Sequence, residues 1–342
     1  MPARYDYDES DIRVRPGRRG SRPRTKDRPA HLDAVIAMVV GVDRGRWTCL
    51  YDDRTVIAMR ARELGRTSIV VGDRVALVGD TSGDPGTLAR IVRVEPRTTM
   101  LRRTADDTDP VERAIVANAD QLAIVTAIAD PTPRPRMIDR CLVAAYDAGM
   151  DPLLVLTKAD LGDPTAFLQE YVALDVPYVV TNLRSDPPAG LDQLRSRLGG
   201  RMTVLVGHSG VGKSTLVNDL VPQADRATGH VNEVTGRGRH TSTSTSALPL
   251  PGGGWVIDTP GVRSFGLAHV DPARIIEHFP DLAAGTAECP RGCTHDEPDC
   301  ALDAWVADGH AGPSGPARLR SLRRLLRSRL GTPDPDDAPA EN

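Results

Sequence analysis

Glycines, a lysine and a hydroxyl at fixed spacing make the first chemical statement of this chain. Residues 207–215 read Gly207-His208-Ser209-Gly210-Val211-Gly212-Lys213-Ser214-Thr215, and Gly207-x4-Gly212-Lys213-Ser214 is the pattern of a phosphate-binding loop. The glycines let the backbone curl until its N–H groups aim at anionic oxygens, and the start of the following helix adds partial positive charge. Lys213 then reaches the terminal phosphates and Ser214 ligates Mg²⁺. Thr203-Val204-Leu205-Val206, directly before the loop, supplies the strand that such a loop requires. Farther on, the apolar run Trp255-Val256-Ile257 ends in Asp258-Thr259-Pro260-Gly261. This makes Asp258 the carboxylate that holds Mg²⁺ through water, and Gly261 a backbone donor to the γ-phosphate.

A phosphate loop by itself serves kinases and ATPases as well as GTPases. Thr157-Lys158-Ala159-Asp160, behind the apolar run Leu153–Leu156, is similar to the Asn-Lys-x-Asp element with which GTPases read guanine. A carboxylate at Asp160 accepts two hydrogen bonds from guanine N1 and N2, which adenine does not offer, while Lys158 lies along the base. Thr157 replaces the usual Asn, which is expected to weaken a stabilising contact and to leave the discriminating Asp160 intact. GTP is therefore expected over ATP. The guanine element also precedes the phosphate loop, the reverse of the ordinary GTPase order. A site assembled from strand ends survives cutting and rejoining the chain at surface loops, so this order implies a circularly permuted GTPase.

A third constellation is Cys289-x3-Cys293-x-His295-x4-Cys300. Three thiolates and one imidazole form a complete tetrahedral set for structural Zn²⁺ and leave no position open for catalysis. Crowding three of five cysteines together favours a metal site over a disulfide framework. Cys49 and Cys141 are expected to be ordinary buried thiols.

Elements must position these groups. Between residues 33 and 98, β-rich runs at 35–40, 47–51, 55–58, 73–78 and 89–94 alternate with turn signals such as Gly83-Asp84-Pro85-Gly86. They predict a small closed barrel, OB-like or SH3-like by pattern alone. Beyond Pro96, strand runs at 121–128, 153–156, 178–180, 203–206 and 255–257 alternate with helices at 138–149 and 191–198. Alternating βα units imply a parallel, doubly wound sheet with ligands at the carboxyl ends of its strands. After about residue 268 short helices take over, ending in 317–330. That helix carries six arginines, no acid, and leucines at three- and four-residue spacing, so one face packs and the other is basic.

The chain of 342 residues has a formal net charge of −3, which excludes a uniformly basic nucleic-acid coat and directs attention to local patches. Residues 1–30 carry nine Lys/Arg against five Asp/Glu with almost nothing apolar, the composition of a disordered basic arm. No apolar run approaches the roughly 20 residues of a membrane span, and the N-terminus lacks a secretory core; a cytoplasmic protein without membrane attachment is expected. The expected divisions are the arm at 1–30, a barrel domain at 31–100, a permuted GTPase at 101–268, a zinc-binding helical domain at 269–330 and a disordered tail at 331–342.

Over roughly residues 33–330 the chain resembles the ribosome small-subunit-dependent GTPase A family, the RsgA type. The residues behind this are Ile115-Val116-Ala117-Asn118-Ala119-Asp120-Gln121, Ile138-Asp139-Arg140, Thr157–Asp160, Gly207–Thr215, Gly238-Arg239-His240-Thr241-Ser242-Thr243, Asp258–Leu267 and the Cys/His cluster. The resemblance implies an N-terminal OB-fold, a central permuted P-loop GTPase and a C-terminal, mainly helical zinc-binding domain. It also implies a ribosome-activated GTPase acting, as a monomer, late in maturation of the 30S subunit. Barrel and basic helix would grip 16S rRNA. Residues 236–246 would form the switch loop, with Thr241 or Thr243 as a Mg²⁺ ligand. Val262 stands where Ras-like enzymes place a water-orienting glutamine, and His240 resembles the family histidine proposed to act instead. The family pattern has one more residue in each longer Cys/His spacer. Two rival readings are a P-loop kinase or ATPase and an RNA-binding module with vestigial nucleotide binding.

Overall fold

The computed structural model describes residues 31–65, 67–104, 111–222, 245–259, 266–267 and 269–330. The arm 1–30, the tail 331–342, His240, Thr241, Thr243, Gly261 and Val262 lie outside the described residues. So does the expected switch loop up to residue 244.

Short alternating runs of β-branched and polar residues form five strands, β1 (Val35–Asp43), β2 (Arg46–Tyr51), β3 (Arg54–Arg60), β4 (Arg74–Gly79) and β5 (Ala89–Val94). One face of each points inward, so that Val39, Cys49, Val56, Val75 and Ile91 share a core. β1 pairs with both β2 and β4, β2 with β3, β4 with β5, and β3 with β5 in parallel. The ring β1-β2-β3-β5-β4 is closed and OB-like, a topology that the sequence pattern left open.

A hairpin of β6 (Met100–Arg103) and β7 (Arg113–Ala117) follows; the sequence reading did not anticipate it. Next come β8 (Gln121–Ala127), α1 (Pro135–Ala148), β9 (Asp151–Thr157), α2 (Thr165–Val172), β10 (Tyr178–Val180) and α3 (Leu191–Leu198). The chain continues through β11 (Met202–Gly207), α4 (Lys213–Leu220), β12 (Ser246–Pro249) and β13 (Trp255–Asp258). Strands β10-β9-β8-β11-β13 are parallel. β12 runs antiparallel to β13 and pairs with β1 at Gly41↔Ser246, so barrel and parallel sheet are hydrogen-bonded into one sheet. All seven residues of β8 are buried, as befits a central strand covered on both faces. Leu194, Leu198, Leu216 and Leu220 of α3 and α4 cover one face.

The other face carries α1 and α2. Against them pack α5 (Pro272–Ile276), α6 (Pro280–Ala283), α7 (Ala301–Ala307) and α8 (Gly315–Leu330). Leu319, Leu322, Leu325 and Leu326 of α8 lie in the same apolar cluster as Cys141, Leu142 and Val206. The described elements after residue 32 belong to one compact unit.

The run Ala117–Gln121 is the joint between barrel and sheet. Asn118 Nδ2 donates to the Gly72 carbonyl at 2.9 Å and its Oδ1 accepts from Thr98 N at 2.8 Å. Asp120 accepts from Met202 N at 2.8 Å, and Thr203 Oγ1 donates to Gln121 Oε1 at 3.1 Å, which pins the start of β11 beside β8. Gly72 sits at φ +88, and a Cβ there would stand 1.9 Å from the Ala117 carbonyl oxygen. A Gly72→Ala variant must part the two backbones and should lose about 3 kcal/mol or more. Urea unfolding checks this, and an unchanged midpoint would remove the joint from the account.

Candidate functional site

From β8 the chain winds outward to β9 and β10, then returns to lay β11 and β13 on the opposite side of β8. The crevice between the carboxyl ends of β8 and β11 is thus the topological switch point, where ligands of open α/β sheets bind. Sequence pattern anticipated this placement.

The loop after β11 begins at Gly207, whose missing side chain lets β11 approach β8; a Cβ there would meet the Val125 carbonyl at 2.5 Å. Gly210 and Gly212 adopt φ of +86° and +90°, which turn successive N–H groups toward one concavity. Helix α4 starts at Lys213, so its N-terminal N–H groups face the same concavity. Ser214 and Thr215 are exposed in its first turn, while Val211 is buried under the loop. Lys213 Nζ lies 2.5 Å from Asp258 Oδ1 at the end of β13, with 15% and 26% of the two side chains exposed. The ammonium expected at the phosphates and the carboxylate expected at Mg²⁺ are therefore paired with each other. Thr259 Oγ1 donates to the Leu205 carbonyl at 2.9 Å and ties the end of β13 to β11.

Three consecutive residues tie down the expected guanine element. Thr157 Oγ1 donates to the Val211 carbonyl at 2.5 Å and lies 3.3 Å from the Thr126 carbonyl. Lys158 Nζ donates to the Asp130 carbonyl, and Ala159 N to the Thr181 carbonyl at 3.2 Å. The hydroxyl of Thr157, which stands where asparagine is usual, straps the Thr157–Asp160 segment to the loop after β11. Asp160 stands beside these ties, partly exposed.

The loop after β10 carries no chemical motif in the sequence but borders the site. Asn182 and Ala189 bridge each other, Asn182 Oδ1 accepts from Arg184 N at 3.0 Å, and Ser185 Oγ donates to the Asn182 carbonyl at 2.8 Å. This stitched loop holds Arg184 NH1 3.8 Å from Asp160 Oδ2. The available signal was β10 itself, since every parallel strand delivers its carboxyl end to the site.

The four expected metal ligands converge. Cys289 Sγ is 3.6 Å from His295 Nδ1 and 3.9 Å from Cys300 Sγ, and Cys300 Sγ is 3.9 Å from His295 Nδ1. With Cys293, all ligand atoms lie within 4.8 Å of one another. Zinc bonds of about 2.3 Å to sulfur and about 2.0 Å to nitrogen, arranged tetrahedrally, separate neighbouring ligand atoms by about 3.5–3.8 Å, so the donor set fits such an ion. The short spacers close because Gly292 and His295 take positive φ, +84° and +67°. Burial lowers the His295 pKa and favours the neutral imidazole that can ligate. Cys49 and Cys141 are pushed up to about 12 by burial and are inert thiols, as expected.

The arginines of α8 are largely engaged within the protein. Arg318 pairs with Asp281 and Asp175, Arg323 with Asp303, Arg324 with Asp139 and Arg327 with Asp296. Arg329 Nε donates to the Val270 carbonyl at 2.9 Å. Four of the six arginines are thus paired with carboxylates and Arg329 is bonded to a carbonyl, while Arg320 is exposed, so the charge of α8 is largely engaged within the protein.

The family model described as RsgA GTPase matches residues 94–268. A small ribosomal subunit biogenesis GTPase RsgA of Pseudomonas fluorescens is 39% identical over 269 residues, covering 76% of this chain and 75% of that protein. Its counterpart in Pseudomonas syringae pv. tomato is 40% identical over the same shares. Among solved structures, YjeQ from Thermotoga maritima superposes with a TM-score of 0.63 at 25% identity, over 88% of this chain and 100% of that one. YloQ, a circularly permuted GTPase, gives 0.61 over 90% and 99%, and at 22% identity it speaks for the fold alone.

Replacing Thr157 by Val removes the strap and leaves the buried Val211 carbonyl unpaired, a loss of about 1–3 kcal/mol. Titration with a fluorescent GDP analogue should show affinity falling about tenfold, the equivalent of about 1.4 kcal/mol, with Thr157→Ser close to wild type. Equal affinities for the Val and Ser variants would show that the strap contributes nothing.

Proposed function

This chain belongs to the RsgA GTPase family, and on that premise we propose that it hydrolyses GTP in the service of late 30S subunit maturation. The observation that carries the reading is the meeting of Thr157–Asp160 with Gly207–Thr215 at the switch point, tied by the hydrogen bond from Thr157 to Val211.

In this reading the N–H groups of residues 208–215 cradle the phosphates and Lys213 neutralises charge on the terminal ones. Ser214 and Asp258 hold Mg²⁺, joined by Thr241 or Thr243, and Gly261 contacts the γ-phosphate. Asp160 selects guanine, with Lys158 and Ala159 shaping its pocket. His240 takes the part of the absent glutamine. The ion held by Cys289, Cys293, His295 and Cys300 is structural Zn²⁺, because a full set of protein ligands leaves no site for water.

The named relatives support the small ribosomal subunit as partner. We place the 16S rRNA contact on the barrel, where Arg44, Arg46, Arg62, Arg74 and Arg90 are exposed, and on the arm 1–30. Neutralising phosphates requires cations that are not already paired. The working divisions remain 31–100, 101–268 and 269–330, in a cytoplasmic monomer.

GTP hydrolysis is expected to rise at least tenfold on adding purified 30S subunits, and ATP should neither compete nor turn over. Asp160→Asn should shift preference from GTP to XTP, since an amide pairs with the 2-oxo group of xanthine. No stimulation by 30S would remove the ribosomal reading, while unchanged base preference in Asp160→Asn would remove the guanine assignment.

A further inference from the structure

Two neighbouring arginines of α8 reach in opposite directions. Arg323 Nε donates to the carbonyl of His295 at 2.9 Å, and its two terminal nitrogens grip Asp303 at 3.0 and 2.6 Å. One side of the helix is thereby fastened to the backbone of a cluster ligand. Arg324 places Nε 2.9 Å from Asp139 Oδ2 and NH2 3.1 Å from Oδ1, with its guanidinium 5.0 Å above the Tyr171 ring. Asp139 is 1% exposed, in the first turns of α1. A second tie runs beside it, from Arg140 NH1 to the Ser328 carbonyl at 2.6 Å. The sequence run Ile138-Asp139-Arg140, which no nucleotide chemistry explains, is thus the seat of α8.

The same turn of α1 borders the nucleotide site. Met137 and Ile138 line a small pocket together with His208 and Val211 of the phosphate loop. In the segment leading into α1, Pro131 Cδ is 3.6 Å from where a Cβ on Gly210 would stand, and the Asp130 carbonyl accepts from Lys158. A continuous set of packed and hydrogen-bonded groups therefore runs from His295 through Arg323, Arg324 and Asp139 to residues 130–138 and the phosphate loop.

We propose that Arg323 and Arg324 couple the Cys₃His cluster to the nucleotide site, so that metal occupancy of the one and guanine-nucleotide occupancy of the other stabilise each other. This rests on the metal and nucleotide assignments made above. A bound metal fixes the His295 loop and hence the carbonyl that orients Arg323. The adjacent Arg324 keeps its paired geometry only when α8 is seated, because buried ions out of register lose their partners while remaining desolvated. The seated helix fixes the first turn of α1 against the phosphate loop, and a close-packed interior passes such placement on. Thermodynamic linkage makes the effect reciprocal, by one factor in both directions. Arg323, Arg324 and Asp139 are positioning residues; none touches nucleotide or metal.

The test uses the full chain purified with its zinc, in magnesium buffer. Stripping the zinc should weaken binding of a fluorescent GDP analogue about fivefold, the lower end of usual coupling. Conversely, GDP should raise the zinc affinity of the loaded protein by the same factor in competition with a colorimetric chelator. This second measurement avoids any unfolding of stripped protein. Arg324→Gln and Asp139→Asn should each abolish both dependences while retaining zinc and nucleotide binding. Arg320→Gln, on the exposed side of the same helix, should keep them. GDP-independent zinc affinity in the wild type, or full linkage in Arg324→Gln, overturns the proposal. A protein that binds GDP but never zinc overturns the metal assignment and the coupling with it; one that binds zinc but not GDP overturns the nucleotide assignment likewise.

Discussion

The parallel pairing of β8 with β11 is the constraint on which the nucleotide site depends. It runs from Gln121↔Thr203 to Val125↔Gly207 and joins segments some eighty residues apart. Close approach at its carboxyl end requires Gly207, since any side chain would strike the Val125 carbonyl. Its start is pinned by Asp120 and Gln121, and Asn118, two residues earlier, grips the barrel. A run of residues with no catalytic chemistry thus sets where the phosphate loop emerges. Permutation is tolerated because this pairing needs register between strands and is indifferent to which strand the chain visits first.

What could be read from the sequence was what chemistry demands of residue type at short spacing. The phosphate loop, Asp258, Asp160 and the Cys/His cluster all have partners within a few residues or at a predictable strand end, and in the structure the first three follow or end parallel strands while the four cluster residues converge. Long-range partners were illegible. Arg324 meets an aspartate 185 positions away, so composition alone reads α8 as a basic surface when most of its arginines are paired within the protein. The OB-like ring depends on parallel pairing between β3 and β5, which alternation cannot report. The β6–β7 hairpin was missed because its strands are short and carry Arg102, Arg103 and Arg113 in place of an apolar stripe. The tie from Thr157 was illegible for a related reason: its hydroxyl meets a carbonyl 54 residues later.

The charged seat of α8 also explains why that helix has a single position. Its leucines enter an apolar cluster shared with α1 and α2, and burying each contributes about 1.5–3 kcal/mol. Such contact is non-directional and would tolerate a slide by one turn. The arginine pairs would not, because each guanidinium has a fixed fork that matches one carboxylate or carbonyl. Asp147 completes the frame at the far end of α1, accepting from Arg274 of α5 at 2.9 Å with His269 3.8 Å away. Val270, twelve residues after the end of β13, is held in this frame by Arg329. In the permuted order the strand that ends at Asp258 is followed in sequence, from residue 269 on, by a segment tied to both α1 and α8. Apolar burial supplies the adhesion, and the ion pairs decide the register in which the C-terminal helices sit on the GTPase.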